Sequence, residues 1–213
     1  MHCIYINADQ QSSRSVFIRK SFEAYADPVW SLHRFSAVDA NELPLRYWGG
    51  SLGREERARF ASHEGALAMA VELPGDAMIM EDKVSFGPCS AEMIRHALDT
   101  ARNGHWDLLF TDLCMIGPPD TESFFPEGDN QEVGLEDPRM VPWSGAMAYI
   151  VSESTKGRLL DYLKTLPLFN TPYHLVLRDL IEQEILSAHV TMPLAASPSC
   201  CGGSCPATCS HEH

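Results

Sequence analysis

Hydrophobic and polar residues follow one another along the chain in blocks that predict strands and helices in alternation. A short apolar strand over residues 3–6 is followed by polar residues, of which Ser12 or Ser13 can cap a helix. That helix carries apolar residues three or four positions apart, and a second strand is predicted over residues 29–38. A strand, a helix and a second strand in this order indicate a parallel sheet with a crossover helix.

The alternation of predicted strands and helices continues almost to the end of the chain. Further strands are predicted over residues 77–80, 106–112 and 145–151. Further helices are predicted over residues 53–73 and 90–103, from Ser152 or Ser154 to Leu166, and with mixed character over 173–186. A chain of 213 residues suffices for one substantial core. We therefore predict an α/β fold, with a mostly parallel sheet flanked by helices in a single domain of residues 1–195 and a flexible tail of residues 196–213.

Residues 117–143 form a long segment that is rich in proline, glycine and acidic residues and has no apolar period. A loop of this length in a compact domain is either functional or disordered. Two interpretations therefore stay open: a lid or acceptor-side loop, and a disordered segment.

The most informative stretch is the strand over residues 77–80, which is apolar on both faces and ends abruptly in charge. Such a strand suits the interior of a helix-covered sheet. Glu81, Asp82 and Lys83 follow directly, at the carboxyl end of the strand, where ligands bind in open α/β sheets. Adjacent carboxylates at this point are able to hold Mg²⁺ or Mn²⁺ against a diphosphate. The alternative is a strand that leaves the core and becomes polar in its loop.

Charge and cysteine usage narrow the class of partner and the compartment. The formal net charge of -13 disfavours a nucleic-acid surface, so no nucleic-acid partner is expected. The first residues lack the pattern of a signal peptide, and no apolar run is long enough to span a bilayer, which predicts a cytoplasmic protein without a transmembrane span. Cys3, Cys89 and Cys114 are scattered and are expected to be small core residues in a reducing compartment.

His63 lies on the apolar stripe of the helix predicted over residues 53–73 and is therefore expected to point inward. One interpretation is a buried histidine that is hydrogen-bonded to the backbone. The other is a side chain that faces a ligand, because this helix leads directly into the strand that ends at Glu81.

A series of short motifs extends in order over residues 4–175. They are Ile6-Asn7 with Arg14 seven residues on, Ala37-Val38-Asp39-Ala40, Ser62-His63, Ile79-Met80-Glu81-Asp82 before Val84, Trp106-Asp107, Gly145 through Ala148-Tyr149 to Ser152, and Pro172. In this order and spacing the chain resembles glycosyltransferase family 25, the bacterial lipopolysaccharide-type and collagen-type galactosyltransferases. The resemblance implies a GT-A-like fold of Rossmann type. It also implies transfer of a hexose, usually galactose from UDP-galactose, with inversion to an acceptor hydroxyl of a glycan or lipopolysaccharide.

The resemblance also implies a place for each matching residue in a nucleotide-sugar site. The implied roles are Asn7 and Asp39 toward uracil and ribose, Arg14 toward the nucleotide or diphosphate, Ser62 and His63 under the donor sugar or phosphate, and Glu81 with Asp82 toward ribose and metal. Catalysis of this kind consists of positioning, stabilisation of the departing diphosphate and removal of the acceptor's proton by a base.

Two positions depart from the family pattern. The family has Glu-Asp-Asp at the strand end, with its last acid as the expected metal ligand, and here that position is Lys83. Either Lys83 neutralises the diphosphate directly, or the protein binds the donor without turnover. Where the family tends to have Pro-x-Asp, this chain has Pro172-Tyr173-His174, so that His174 joins Asp82 as a candidate catalytic residue. The alternative for His174 is an exposed loop histidine.

The end of the chain carries six metal-ligating side chains without any apolar period: Cys200, Cys201, Cys205, Cys209, His211 and His213. Thiolates and imidazoles select Zn²⁺ or another soft metal over Mg²⁺. Their spacing is not that of a zinc ribbon or finger. The alternatives are an inert disordered tail, disulfides formed only on oxidation, and residues added for expression.

Three functions follow from these patterns. The first is a hexosyltransferase that uses a UDP-sugar, with Mn²⁺ or Mg²⁺ dependence left open by Lys83. The second is a catalytically degenerate protein that binds a nucleotide sugar. The third is a metal-handling protein that acts through its Cys/His tail.

Overall fold

The computed structural model describes residues 1–115, 133–141 and 143–198. The strands within them are β1 (His2–Asn7), β2 (Ser31–Ser36), β3 (Ala77–Glu81), β4 (Val84–Ser85), β5 (Leu108–Met115), β6 (Gly134–Glu136), β7 (Trp143–Val151), β8 (Ala188–Met192) and β9 (Ser197–Pro198). The helices are α1 (Ser12–Tyr25), α2 (Arg54–Val71), α3 (Ser90–Ala101), α4 (Glu153–Thr165) and α5 (Tyr173–Glu182), with 3-10 turns at Leu45–Trp48 and Pro138–Met140.

Seven strands form one sheet in the order β2-β1-β3-β7-β5-β8-β6, and β4 pairs separately with β9. β1 pairs in parallel with β2 and β3, and β5 pairs in parallel with β8. β7 runs antiparallel between β3 and β5, and β6 runs antiparallel to β8. Five of the seven strands therefore share one direction. The predicted α/β class is confirmed, and the sheet is mixed because the strand predicted near residues 145–151 enters it in the opposite direction.

Helices cover both faces of the sheet. One face packs against α2, α4 and α5 in a core that contains Ile79 and Phe60. The other packs against α1 and α3 in a core that contains Met78, Met80 and Ile18. Successive residues of a strand point to opposite faces. The unbroken apolar run of β3 is thus explained by burial on both sides, as its sequence predicted.

Two strands of the sheet, β6 and β8, were not predicted. β6 lies in the segment predicted as a loop over residues 117–143, and residues 133–141 of that segment instead form β6 and a 3-10 turn. The remainder of that predicted loop, apart from Trp143, lies outside the described residues. β8 is short and became recognisable only by its pairing with β5. The described fold continues to Pro198, where β9 pairs with β4.

The three cysteines outside the tail differ in burial. Cys3 is fully buried, and burial raises the pKa of its thiol to about 12. Cys114 is half-buried, whereas Cys89 is exposed just before α3, so the expectation of a core position was wrong for Cys89. Among the described residues, no helix has the length and apolar character needed to cross a membrane.

Two loops pack against each other where the chain leaves β2 and α4. The backbone N–H of Phe169 donates to the carbonyl of Gly49 at 3.1 Å, and that of Leu52 donates to the carbonyl of Phe169 at 3.1 Å. Gly50 lies between them with φ of 110°. A Cβ atom at Gly50 would be 2.3 Å from the Phe169 carbonyl oxygen, so this contact requires glycine.

Gly50→Ala is expected to lower the free energy of unfolding by about 2 kcal/mol or more, because it adds both a positive-φ penalty and a backbone clash. Gly157→Ala is the matched control, since nothing lies within 4 Å of its added methyl group and it sits inside α4. The control is expected to leave the free energy of unfolding unchanged or to raise it slightly. Urea unfolding of both variants checks this, and equal stability of the two would contradict it.

Candidate functional site

The polar residues at the neighbouring carboxyl ends of β1 and β3, where the direction of the chain connections reverses, form the candidate site, which is called the crevice below. The connection after β1 leads through α1 to β2 on one side, and that after β3 leads through α3 toward β5 on the other. Such switch points leave room for ligands between the two strand ends. Asn7 ends β1, and Glu81 ends β3 with Asp82 directly after it.

Asn7 and Asp82 join the two sides of this crevice. The Asn7 side-chain amide donates to an Asp82 oxygen at 2.8 Å and to the Gln11 carbonyl at 3.0 Å. The other Asp82 oxygen lies 3.5 Å from the Arg14 guanidinium, in the first turn of α1. Arg34 completes the group, because its Nε donates to the Asn7 side-chain oxygen at 3.1 Å. Arg14 keeps 44% of its side chain exposed, so its cation remains available to a ligand.

Glu81 lies beside two side chains from α2. Its carboxylate lies 3.7 Å from Nε2 of His63 and 3.7 Å from Nε of Arg59. Burial by itself raises the pKa of Glu81, but His63, Arg59 and the charge of Lys83 together hold it below its usual range. Glu81 is therefore an anion at neutral pH, and Lys83 is exposed beside it.

His63 is buried, as predicted, but its polar partners are side chains rather than the backbone. Its Nδ1 lies 3.4 Å from the Tyr149 hydroxyl, which in turn lies 2.8 Å from the Tyr173 hydroxyl. The His63 ring stacks on Tyr173 at 4.5 Å between centroids. Burial raises the pKa of both tyrosines, so their hydroxyls stay protonated. A buried polar chain from α5 and β7 thus orients the imidazole toward Glu81.

Asp112 of β5 is a site residue that the prediction missed. It pairs with Ala148 of β7, and Ala148 pairs on its other side with Met80, the residue before Glu81. Asp112 is 1% exposed, and neither carboxyl oxygen has a hydrogen-bond partner in the described part of the chain. Burial, and then the charge of Glu81, raise the pKa of Asp112 to about 8. The nearby N–H of Leu113 lies outside hydrogen-bond geometry and offsets only part of this rise. The carboxyl therefore keeps its proton at neutral pH.

The signal that could have found Asp112 was present in the sequence. It ends the apolar run over residues 106–112, just as Glu81 ends the run over residues 77–80. Both buried strands therefore carry a carboxylate where their apolar run ends. Arg59 carries no comparable signal, because it lies in an ordinary helix pattern. Tyr149 belongs to a motif of the resemblance, but the resemblance implied no role for it.

The remaining predicted residues lie at different distances from the crevice. His174, at the start of α5, is half-buried and within electrostatic range of Arg59 and His63; burial is the main cause that lowers its pKa. Ser62 is buried, and its hydroxyl donates to the Ala58 carbonyl and accepts from the N–H of Val38. Asp39 is exposed and accepts from its own turn. Ser62 therefore has a structural role, and it positions the loop after β2.

Asp107, part of a matching motif, lies at the opposite edge of the sheet. Its buried carboxylate accepts hydrogen bonds from Thr155, Arg158 and the N–H of Ser187, which ties α4 and the start of β8 to the start of β5. All of its polar capacity is used by the protein itself. Asp107 is thus a structural carboxylate.

Open clefts also occur at that opposite edge. One, of about 320 Å³, is lined by His105, Asp107 and Ser187, and another, of about 450 Å³, is lined by Asp76 and Ser152. Asp76 already accepts hydrogen bonds from Arg102 and from the N–H of Glu153, and Asp107 is satisfied as described. The crevice at the ends of β1 and β3 is the better candidate, because its cations and the buried Asp112 are not fully used by the protein.

The donor set of the crevice does not fit a carboxylate-held metal ion. Asp82 is engaged by Asn7 and Arg14, and the position that would supply a further acid is Lys83. Over the described ranges, no group of three or more His, Cys, Asp or Glu side chains is arranged to hold a metal ion. The six tail ligands of the sequence prediction, from Cys200 to His213, lie outside the described residues.

The fold and site together define an α/β protein with a charged crevice at the carboxyl edge of its sheet. No known family model matches the chain, and a search of curated proteins found no match. The resemblance to glycosyltransferase family 25 therefore stays a prediction, and the function is argued from the geometry.

Asp112→Asn is expected to stabilise the protein increasingly as the pH rises from about 4 to about 8. The folded-state pKa of Asp112 is about 8 and the unfolded value is 3.8. Below the unfolded-state pKa the carboxyl does not affect the free energy of unfolding of the wild type. Above it, that free energy falls by about 1.4 kcal/mol per pH unit until the folded-state pKa is reached. The amide has no proton to lose, so the difference between variant and wild type should grow over this window.

Urea unfolding at pH 5 and pH 8 measures that difference directly. Asp161→Asn, an exposed substitution in α4, is the matched control and should leave the pH profile of the wild type unchanged. A gain for Asp112→Asn that is the same at both pH values would contradict the assignment of a buried, protonated carboxyl.

Proposed function

We propose that the protein transfers a hexose from a UDP-sugar to an acceptor hydroxyl, with the diphosphate held by protein cations rather than by a carboxylate-bound metal. The single observation that carries this proposal is the meeting of Arg14, Lys83 and an oriented Glu81–His63 pair in one crevice at the switch point of the sheet. Anionic cofactors and nucleotides bind at this point of α/β sheets.

The nucleotide end of the donor fits the side of the crevice formed by β1 and β2. The first turn of α1 begins directly after this point, and its free N–H groups favour an anion. Arg14 adds a forked set of donors in the same turn. Asn7 and Arg34 form a fixed polar wall beside it, and Asp39 is exposed on the loop after β2 for contact with ribose.

The departing diphosphate carries the charge that the transferase has to stabilise. Lys83 is exposed and makes no ion pair in the described part of the chain, so its ammonium is free to follow the phosphate as a point charge. Arg14 and Arg59 are fixed by Asp82 and Glu81 and are already oriented when the donor arrives. Preorganised charge of this kind lowers the barrier because it needs no reorganisation during the reaction.

His174 is the proposed base for the acceptor hydroxyl. Its pKa is lowered, chiefly by burial, so the imidazole is neutral at pH 7 and accepts a proton. As the acceptor oxygen attacks the anomeric carbon, its proton passes to His174 and the bond to the diphosphate oxygen breaks. Asp82, the other candidate, is occupied by Asn7 and Arg14 and is better suited to positioning.

A nucleotide-sugar-binding protein without turnover is the second candidate, and Lys83 in place of an acid is the observation that favours it. The two candidates share the donor site and differ only in the chemical step. Binding experiments therefore test the donor site, which both candidates require. A measurement of sugar transfer or donor hydrolysis distinguishes the enzyme from the binding protein.

UDP is expected to raise the melting temperature of the protein equally with Mn²⁺ and with excess EDTA, since a ligand that binds only the folded state stabilises it. Arg14→Gln should weaken UDP binding by about tenfold, the effect of about 1.4 kcal/mol from one lost charged contact. Lys20→Gln, an exposed lysine further along α1, is the matched control. Strictly Mn²⁺-dependent binding, or equal loss in both variants, would overturn the metal-free donor site.

His174→Gln is expected to lower the rate of UDP release from UDP-galactose by about 10²-fold while leaving UDP affinity unchanged, because it removes only the base. His96→Gln, exposed on α3, should behave as the wild type. If the wild type binds UDP tightly and releases none from the sugar nucleotide under any condition, the binding protein is the correct candidate.

A further inference from the structure

Three large apolar side chains are exposed together where the loops after β2 and α4 meet. Leu45 is 83% exposed, Trp48 is 61% exposed and Leu168 is 53% exposed. Leu45 and Trp48 are three residues apart in a 3-10 turn, a spacing that places two side chains on the same face. Leu168 packs over Gly49, with its Cδ2 atom 2.8 Å from where a Cβ would lie. The three side chains therefore lie on neighbouring parts of the two loops, and this set is named here the Leu-Trp patch.

The Leu-Trp patch is rigidly supported from below. The Trp48 indole N–H donates to the Leu43 carbonyl at 2.9 Å, so the ring presents carbon atoms to solvent. Arg57 donates to the carbonyls of Tyr47 and Trp48. The tilted rings of Tyr47 and Phe169 pack together with 4.9 Å between their centroids. These contacts hold the three apolar side chains at the surface, and a fixed, exposed apolar patch is typical of an interaction site.

The position of the patch connects it to the crevice. β2 runs in the direction of β1 and β3, so the chain that follows it emerges at the carboxyl edge of the sheet. α4 begins after the antiparallel β7 and therefore also ends at that edge. The Leu-Trp patch and the crevice thus lie on the same rim of the molecule.

Size and charge point to one kind of partner. Three side chains cover much less than the roughly 800 Å² per partner that a stable protein interface buries. Arg54 is exposed at the start of α2, six residues after Trp48 in the chain, and makes no ion pair among the described residues. An indole with two leucines, followed in the chain by an exposed arginine, is a composition that inserts at the headgroup level of a bilayer.

We propose that the Leu-Trp patch is a membrane-surface anchor, which inserts Leu45, Trp48 and Leu168 into the interfacial layer of a lipid bilayer and brings the crevice to face that surface. The inference goes beyond the proposed transferase and does not depend on its chemistry. Because the chain as a whole is strongly acidic, attachment should depend mainly on the apolar side chains. Arg54 then acts only over short range on lipid phosphates.

Co-sedimentation with vesicles of phosphatidylcholine and phosphatidylglycerol tests the anchor with the full chain. The triple variant Leu45→Ser, Trp48→Ser, Leu168→Ser should lose about tenfold or more in vesicle affinity. Val29→Ser with Met140→Ser is the matched control, because Val29 is 81% and Met140 is 78% exposed elsewhere on the surface. The control should bind vesicles as the wild type does. Circular dichroism checks that each variant is folded, as expected for exposed positions.

Tryptophan emission gives a second measurement on the same samples. The emission of the wild type should shift to shorter wavelength on vesicles, and Trp48→Phe should remove that shift. No binding by the folded wild type, or equal loss in the control, would overturn the anchor.

Sedimentation equilibrium without vesicles tests the alternative occupant, a second copy of the chain. A wild-type dimer that becomes a monomer in the triple variant would assign the patch to self-association and overturn the proposal. UDP binding without vesicles is expected to be unchanged in the triple variant, so failure of the anchor and failure of the donor site are separate results.

Discussion

Carboxylates at the end of a buried sheet must be neutralised, and this requirement shapes the carboxyl edge of the protein. Three acids meet there, and each is neutralised differently. Asp82 is held by an amide and a guanidinium, and Glu81 by His63 and Arg59. Asp112 has no partner among the described residues and keeps its proton instead. An unpaired charge in such a place would cost several kcal/mol, so each arrangement is a condition for the fold as well as for the site.

The way in which the charges are neutralised explains why the crevice is suited to an anionic ligand. Arg14 and Arg59 are oriented by the acids that they neutralise, but both remain half exposed. The hydrogen-bonded hydroxyls of Tyr149 and Tyr173 hold the His63 ring through its Nδ1 atom, while its Nε2 atom faces Glu81. A diphosphate entering such a site meets cations whose positions are already set, which saves the entropy of ordering them. The buried Asp112 shows that the edge is not optimised for stability alone.

Asp107 and Asp112 show how little the residue type says about a role. Both lie on or just before β5, and both are almost completely buried. Asp107 accepts hydrogen bonds from three residues and joins two elements to the start of the strand. Asp112, a few residues further along, makes none of these bonds. The first is at the amino edge, where helix α4 begins, and the second is at the carboxyl edge beside Glu81.

The sequence by itself determined the α/β class and the buried strand before Glu81. It also determined helix α2 with an inward His63, and the polar residues at the strand ends. Local periodicity and strand length carry this information. It did not determine β6 or β8, the reversed direction of β7, or the pairing of Asp82 with Asn7. Those depend on which segments, distant in the chain, become neighbours in the sheet. The direction of a strand is decided only when other segments pack against that strand. The same packing decides whether a buried acid finds a hydrogen-bond partner. Only the tertiary structure therefore distinguishes Asp112 from Asp107.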